Sequence, residues 1–348
     1  MFEKSFITDC EGPLTLNDNA FEMSAHFIEN GDQLFKILSL YDDYLADVVK
    51  KENYKAGNTL KLILPFFVCD NVKNSDLIDF SQNNIYAVND SKFLLSYLKK
   101  SMNTYIVSTS YGQYIEALSN YMEFPFKNTF YTKVDVDALT LTDEEMEKIT
   151  EFKHMILDDP ENYELFDEIF FSEIPKMGIY DDIRKINVVG GPGKKMAIDE
   201  IIERDGINVG EILYIGDSIT DVEPLEFARE NNGISISFNG NEYPLKVAEI
   251  AIVSPSAVAT CIIANIYSNA SRKDVLEFIE EYNDCGDLKG LFEKYDVDLE
   301  IIDRFFDVFS DGNYPIIKII DDDNYEDILK VSKDMRNNIR GEDIGGLG

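Results

Sequence analysis

Short apolar runs that end in polar clusters alternate along this chain with stretches whose apolar positions recur every three or four residues. Phe2–Thr8 alternates and then runs apolar into the acidic loop Asp9-Cys10-Glu11, which reads as a buried strand ending at a site. From about Asn19 to Tyr54 the period turns helical, carried by Phe21, Phe27, Leu34, Ile37, Leu38, Tyr41, Leu45 and Val48. A second helical stretch begins at Asp76, and Asn89–Lys100 places Phe93, Leu94, Tyr97 and Leu98 on one helix face. Thr104–Val107 is β-rich and ends in Ser108-Thr109-Ser110. Thr129–Val136 predicts a further strand, and Thr142–Lys176 two helices broken near Asp158-Asp159-Pro160. Lys194–Arg204 predicts a helix, Glu211–Ile215 a strand and Asp221–Asn231 a helix, followed by short strands at Gly233–Phe238 and Ile250–Val253. The last stretch differs: Ala270–Tyr295 and Asp298–Phe309 read as helices, Asp321-Asp322-Asp323 as a solvated loop and Gly341–Gly348 as a frayed end.

Strands alternating with helices predict an α/β fold with a mainly parallel sheet. In such sheets ligands bind at the carboxyl ends of the strands, where the polar clusters of this chain fall.

Composition narrows the class. The chain has 348 residues, 45% of them hydrophobic, enough for about two domains of roughly 100–200 residues. No apolar run approaches the roughly 20 residues that cross a bilayer; the longest, Leu60–Cys69, is interrupted by Pro65. The N-terminus lacks the pattern of a signal peptide, so a cytoplasmic location is expected. Cys10, Cys69, Cys261 and Cys285 are widely separated, which argues against a zinc site, an iron–sulfur cluster or a disulfide framework. The formal charge of −34 repels phosphate backbones and argues against nucleic acid as a partner. It also means that any anionic substrate needs a divalent metal and local cations to reverse the field in its pocket.

Four motifs carry candidate chemistry. In Asp9-Cys10-Glu11-Gly12-Pro13, an ionised Asp is a competent nucleophile, and a carboxyl two residues on can protonate a leaving group and then activate water. Gly12 allows the chain to depart sharply. Ser108, Thr109 and Ser110 offer hydroxyls and N–H groups to a phosphoryl oxygen, or equally cap a helix. Gly190-Gly191-Pro192-Gly193-Lys194-Lys195 opens a helix with lysines able to neutralise phosphate and carboxylate. Gly216-Asp217-Ser218-Ile219-Thr220-Asp221 sets two carboxylates four residues apart, a hard-oxygen pair suited to Mg²⁺ or a capped helix start.

Taken in this order, the motifs resemble those of the haloacid dehalogenase superfamily over residues 4–16, 90–135 and 186–255. The resemblance implies a Rossmann-like α/β core (1–16, 88–138 and 186–268), a helical cap (17–87), a second helical insertion (139–185) and a helical C-terminal extension (269–348). It implies a Mg²⁺-dependent phosphohydrolase acting on a small phosphorylated metabolite. Asp9 would form an aspartyl-phosphate, and Glu11 would be the acid/base whose backbone carbonyl also binds Mg²⁺. Ser108 and Thr109 would hold the phosphoryl group, and Lys194, rather than Lys195, would neutralise charge. Asp217 would ligate Mg²⁺, with Asp221 a ligand or its outer partner. Glu11 departs from the usual Asp by one methylene. The Asp-Cys-Glu-Gly-Pro, Ser-Thr-Ser-Tyr and G-D-S-I-T-D-V-E runs also resemble an archaeal group labelled energy-converting hydrogenase A, subunit R. That implies a possible association with a hydrogenase complex, and the alternative of a non-catalytic accessory subunit. The chain itself offers no cysteine set for nickel or iron–sulfur.

Overall fold

The runs read as the central strands lie under complete cover on both faces. In the computed structural model, which describes residues 2–347, the strands are β1 (Ser5–Thr8), β2 (Asn103–Tyr111), β3 (Thr129–Thr132), β4 (Ile212–Gly216), β5 (Ile234–Phe238), β6 (Ile250–Val253) and β7 (Ile316–Ile319). Every position of β1, β4, β5 and β6 is buried, as expected of strands sandwiched between helices. The sheet order is β3-β2-β1-β4-β5-β6-β7. All pairs are parallel except β6–β7. This is a doubly wound, Rossmann-like order, and it reverses between β1 and β4, where the carboxyl ends of the strands open a crevice.

Alternation along β1 sends Phe6 to one face and Ile7 to the other. Phe6 packs with Ile106, Leu213 and Ile236 against the helices Ser91–Leu98, Gly112–Met122 and Val258–Asn269. Ile7 packs with Val107 and Tyr214 against the helices Pro192–Asp205 and Val222–Glu230. The two helical insertions form one further apolar cluster: Leu34, Leu38 and Tyr41 meet Ile149, Ile156 and Phe166. The cover over the sheet's carboxyl edge is therefore assembled from both segments together.

Four expectations shift. The strand read over 129–136 stops at Thr132, and the one read over 104–107 extends over Asn103–Tyr111, with a register shift against β3 between Val107 and Tyr111. The C-terminal extension is helical apart from β7, which closes the sheet antiparallel to β6. The end read as frayed, described as far as Leu347, is ordered though partly exposed: after the helix Tyr325–Arg340, a turn at Gly341 leads into the short helix Glu342–Gly345, and Leu347 reaches the cap.

Candidate active site

The crevice at the β1–β4 reversal is floored by carboxylates. The ladder continues one residue past β1, with Asp9 N–H donating to Ile215 O at 2.9 Å. This holds the Asp9 side chain at the strand end, 5% exposed. Its Oδ1 accepts from Cys10 N–H at 2.7 Å and its Oδ2 from Lys194 Nζ at 2.8 Å. The loop then passes so close to the next motif that a Cβ on Gly12 (φ +94°) would lie 2.2 Å from Asp217 Oδ2. Only glycine permits that approach.

Lys194 lies in the first turn of its helix, which follows the left-handed Gly191 with Pro192 at the first helical position. It is fully buried, and its Nζ bridges Asp9 Oδ2 and Asp221 Oδ1, the latter at 2.7 Å. Lys195 turns outward to Asp199, at 2.7 Å. Asp221 has both oxygens engaged by donors. Its Oδ1 accepts from Lys194 and from the Tyr214 hydroxyl at 2.6 Å, and its Oδ2 accepts from the N–H groups of Asp217 and Ser218 at 3.1 and 3.2 Å. Oxygen atoms of Asp9, Asp217 and Asp221 lie within 4.8 Å of one another. Glu11 stands apart from this trio: its Oε1 accepts from Asn19 N–H at 2.8 Å, at the start of the first cap helix, Asn19–Phe27.

The electrostatics reflect this crowding. Burial, then the neighbouring Asp221, push the Asp9 carboxyl up to about 8, with Lys194 pulling the other way. Burial opposes the charge on Lys194, yet Asp221 and Asp9 outweigh it and hold the ammonium above its usual range. Burial and then Asp18 raise Glu11 well above the ordinary carboxylate range. The three clustered carboxylates are met by buried cations of two origins: Asp9 and Asp221 share Lys194, and Asp217 is met by Arg336 and Arg340.

Above the floor is a cavity of about 110 Å³. It is lined by Asp9, Glu11, Thr109, Ser110 and Asp217 from the core and by Phe35, Asp42 and Thr59 from the cap. The hydroxyl oxygens of Thr109 and Ser110 are buried with no hydrogen-bond partner among the described residues. Both hydroxyls are therefore free to donate to a ligand oxygen in the cavity they line. Ser108 is not in the lining; its Oγ accepts from Ser110 N–H at 3.1 Å. The structure thus brings Asp9, Lys194, Asp217 and Asp221 together, sets Thr109 and Ser110 at the wall, and turns Ser108 aside. The two insertions carry no basic cluster toward the site. The remaining wall was not foreseen: Arg336, Arg340 and Leu347, from the chain's end, close the cavity. Arg336 and Arg340 share a helix face by their four-residue spacing, which is visible in the sequence; the surface they meet is not.

No protein-family model matches the chain, and no curated protein does. Among solved structures, the gene product AF1437 from Archaeoglobus fulgidus is similar over 99% of both chains, with 28% identity and a TM-score of 0.83. A substrate-bound phosphoserine phosphatase shares 12% identity at a TM-score of 0.48, over 74% of this chain and 95% of that one. A phospho-aspartyl intermediate analogue of phosphoserine phosphatase shares 12% at 0.46, over 72% and 93%. Among the described residues no helix is long and apolar enough to cross a membrane.

Proposed function

We propose that this protein is a divalent-cation-dependent phosphohydrolase that works through an aspartyl-phosphate on Asp9. The observation that carries the reading is the meeting of Asp9, Asp217, Asp221 and Lys194 at one strand-end crevice, beside two buried hydroxyls with nothing to bond. Mg²⁺ would be held by Asp9, Asp217 and the backbone carbonyl of Glu11, and when bound it supplies charge neutralisation for the phosphoryl oxygens.

The chain's own residues do the rest. Lys194, fixed by Asp221, draws the Asp9 carboxylate into place and offsets charge as an Asp9 oxygen attacks phosphorus. Thr109 and Ser110 donate their hydroxyls to phosphoryl oxygens. The bond from phosphorus to the leaving oxygen breaks, and that oxygen takes a proton from Glu11, whose carboxyl is raised above the ordinary carboxylate range by burial and Asp18. Glu11, now ionised, takes a proton from water, whose oxygen attacks phosphorus and returns Asp9 to a carboxylate. Asp221 acts as a positioning residue, since both its oxygens are already engaged by donors. The cavity is far smaller than the roughly 300–1,000 Å³ of ordinary ligand pockets. It accommodates a phosphoryl group, and a leaving group needs the cap or the C-terminal wall to move.

The test is phosphate release from p-nitrophenyl phosphate and a panel of phosphorylated metabolites with Mg²⁺, comparing wild type with Asp9→Asn. Hydrolysis that depends on Asp9 and on the cation is expected. Equal rates in the two proteins, or no hydrolysis of any substrate, would overturn the reading.

A further inference from the structure

The end of the chain holds the carboxylate that the proposed cation needs. The helix Tyr325–Arg340 is anchored on the core through Ile328, which packs with Leu245 and Ala251, and through Ser332 Oγ, which donates to Gly240 O at 2.7 Å. From it, two arginines enter the site almost wholly buried, their side chains 3% and 5% exposed. Arg336 donates Nε–H to Gly345 O and Nη2–H to Leu347 O, both at 2.9 Å, and Nη1–H to Asp217 O at 3.2 Å and to Asp217 Oδ2. Arg340 donates Nε–H to Leu16 O at 3.1 Å, Nη2–H to Asn17 O at 2.8 Å and Nη1–H to Asp217 Oδ2 at 3.0 Å. Each guanidinium is thus fixed at both ends by main-chain carbonyls, with one carboxylate oxygen between them.

We propose that Arg336 and Arg340 compete with the divalent cation for Asp217, so that docking of the C-terminal helix and loading of the cation oppose one another. The inference rests on the cation-dependent reading of the same site. Three considerations support it. An oxygen that already accepts from two guanidinium groups has little capacity left for an ion that demands close, near-octahedral oxygen ligands. The positive charges repel the ion across a buried space where screening is weak. The segment that seats Arg336 is also lightly held. Gly341 (φ +82°) joins the helix to a short exposed tail, held to the cap by the Lys36–Asp343 ion pair at 2.6 Å and by contacts of Ile344 and Leu347. Undocking this tail removes two of the carbonyls that hold Arg336 and takes Leu347 out of the cavity wall. The same motion would therefore loosen Arg336 on Asp217, leaving Arg340 as its remaining partner, and widen the site.

Linkage requires the coupling to be reciprocal: the factor by which the arginines weaken the cation is the factor by which the cation weakens docking. The experiment is Mn²⁺ binding by calorimetry to the full chain, as wild type, Arg340→Gln, Arg340→Lys and Asp217→Asn, together with amide hydrogen exchange of residues 325–347 with and without Mn²⁺. Arg340→Gln is expected to bind Mn²⁺ about 5–150-fold more tightly, Arg340→Lys close to wild type, and Mn²⁺ to speed exchange in the wild-type C-terminal helix. Should Arg340→Gln fail to fold, a chain ending at Arg340 is expected to show the same tightening, because Arg336 loses its Gly345 and Leu347 acceptors. Equal or weaker Mn²⁺ binding by these variants, or unchanged or slower exchange, overturns the competition while leaving an Asp217-dependent cation site intact. Mn²⁺ binding that Asp217→Asn does not weaken overturns the cation-site reading itself, and the competition with it.

Discussion

Two sets of cations meet the same acidic floor, and they are built differently. Lys194 comes from within the sheet's own crossover, is fully buried, and bridges Asp9 and Asp221 as part of the core. Arg336 and Arg340 come from the far end of the chain and reach Asp217 on a helix whose last anchor is an exposed tail with a glycine at its joint. The first set is a fixture that cannot leave without unfolding the crevice. The second can be withdrawn. On the proposed reading, an acidic chain would neutralise one part of its site permanently and another part reversibly, where the cation enters.

The sharpest way to break this contrast is to remove each cation in turn. Lys194→Met leaves Asp9 and Asp221 buried without their shared partner and is expected to cost about 3–5 kcal/mol, read as a drop in urea unfolding free energy. If the loss is negligible, Lys194 is not the fixture described. Glu11→Gln keeps the shape but removes the exchangeable carboxyl proton. Its turnover should fall roughly 10²–10⁴-fold with stability near wild type, measured by steady-state kinetics and thermal melting. Arg340→Met should cost less than Lys194→Met, about 1–3 kcal/mol, since Asp217 retains Arg336. Saturating Mn²⁺ should recover more of that loss than it adds to the wild type; a cost equal to that of Lys194→Met would erase the distinction.

The smallest effect concerns a cleft on the outer side of the cap, where Asp43 and Tyr44 face Glu242, Gly345 and Gly346. Burial, then Asp42, Asp47 and Glu242, raise Asp43 to about 8. A carboxyl raised this way contributes stability that is present in full below its ordinary pKa and is lost as pH rises through about 8. Asp43→Asn should therefore gain on wild type steadily as pH rises from about 4 to about 8, and melt at least about 2 °C higher near pH 9. A variant less stable than wild type at pH 9 would show that the charged cap edge is not strained against the core.

Much of this was legible in the sequence because it is local. The buried strands announce themselves as apolar runs, three of the four motifs sit where those runs stop and the lysine motif opens a helix, so Asp9, Lys194, Asp217 and Asp221 could be named together before any coordinate. What stayed hidden depends on distant partners. β7 is a four-residue run after Pro315 that becomes a strand only because β6 offers it an open edge. Ser110 lines the cavity and Ser108 does not, on a β2 that runs on to Tyr111 with a register shift after Val107, which composition does not reveal. Glu11 carries the right chemistry, yet its carboxylate is tied to Asn19 N–H by the way the cap begins. Arg336 and Arg340 look like any solvated helix pair until the fold brings Asp217 beneath them.

The central claim is that Asp9 itself takes the phosphoryl group. It is tested most directly by acid-quenching Glu11→Gln protein during turnover of a phosphorus-labelled substrate and locating the label by peptide mass spectrometry. The account expects a hydroxylamine-labile phosphoryl group on the peptide carrying Asp9, absent when Asp9→Asn is added. Phosphate released with no labelled protein, or label retained in the Asp9→Asn chain, would contradict it.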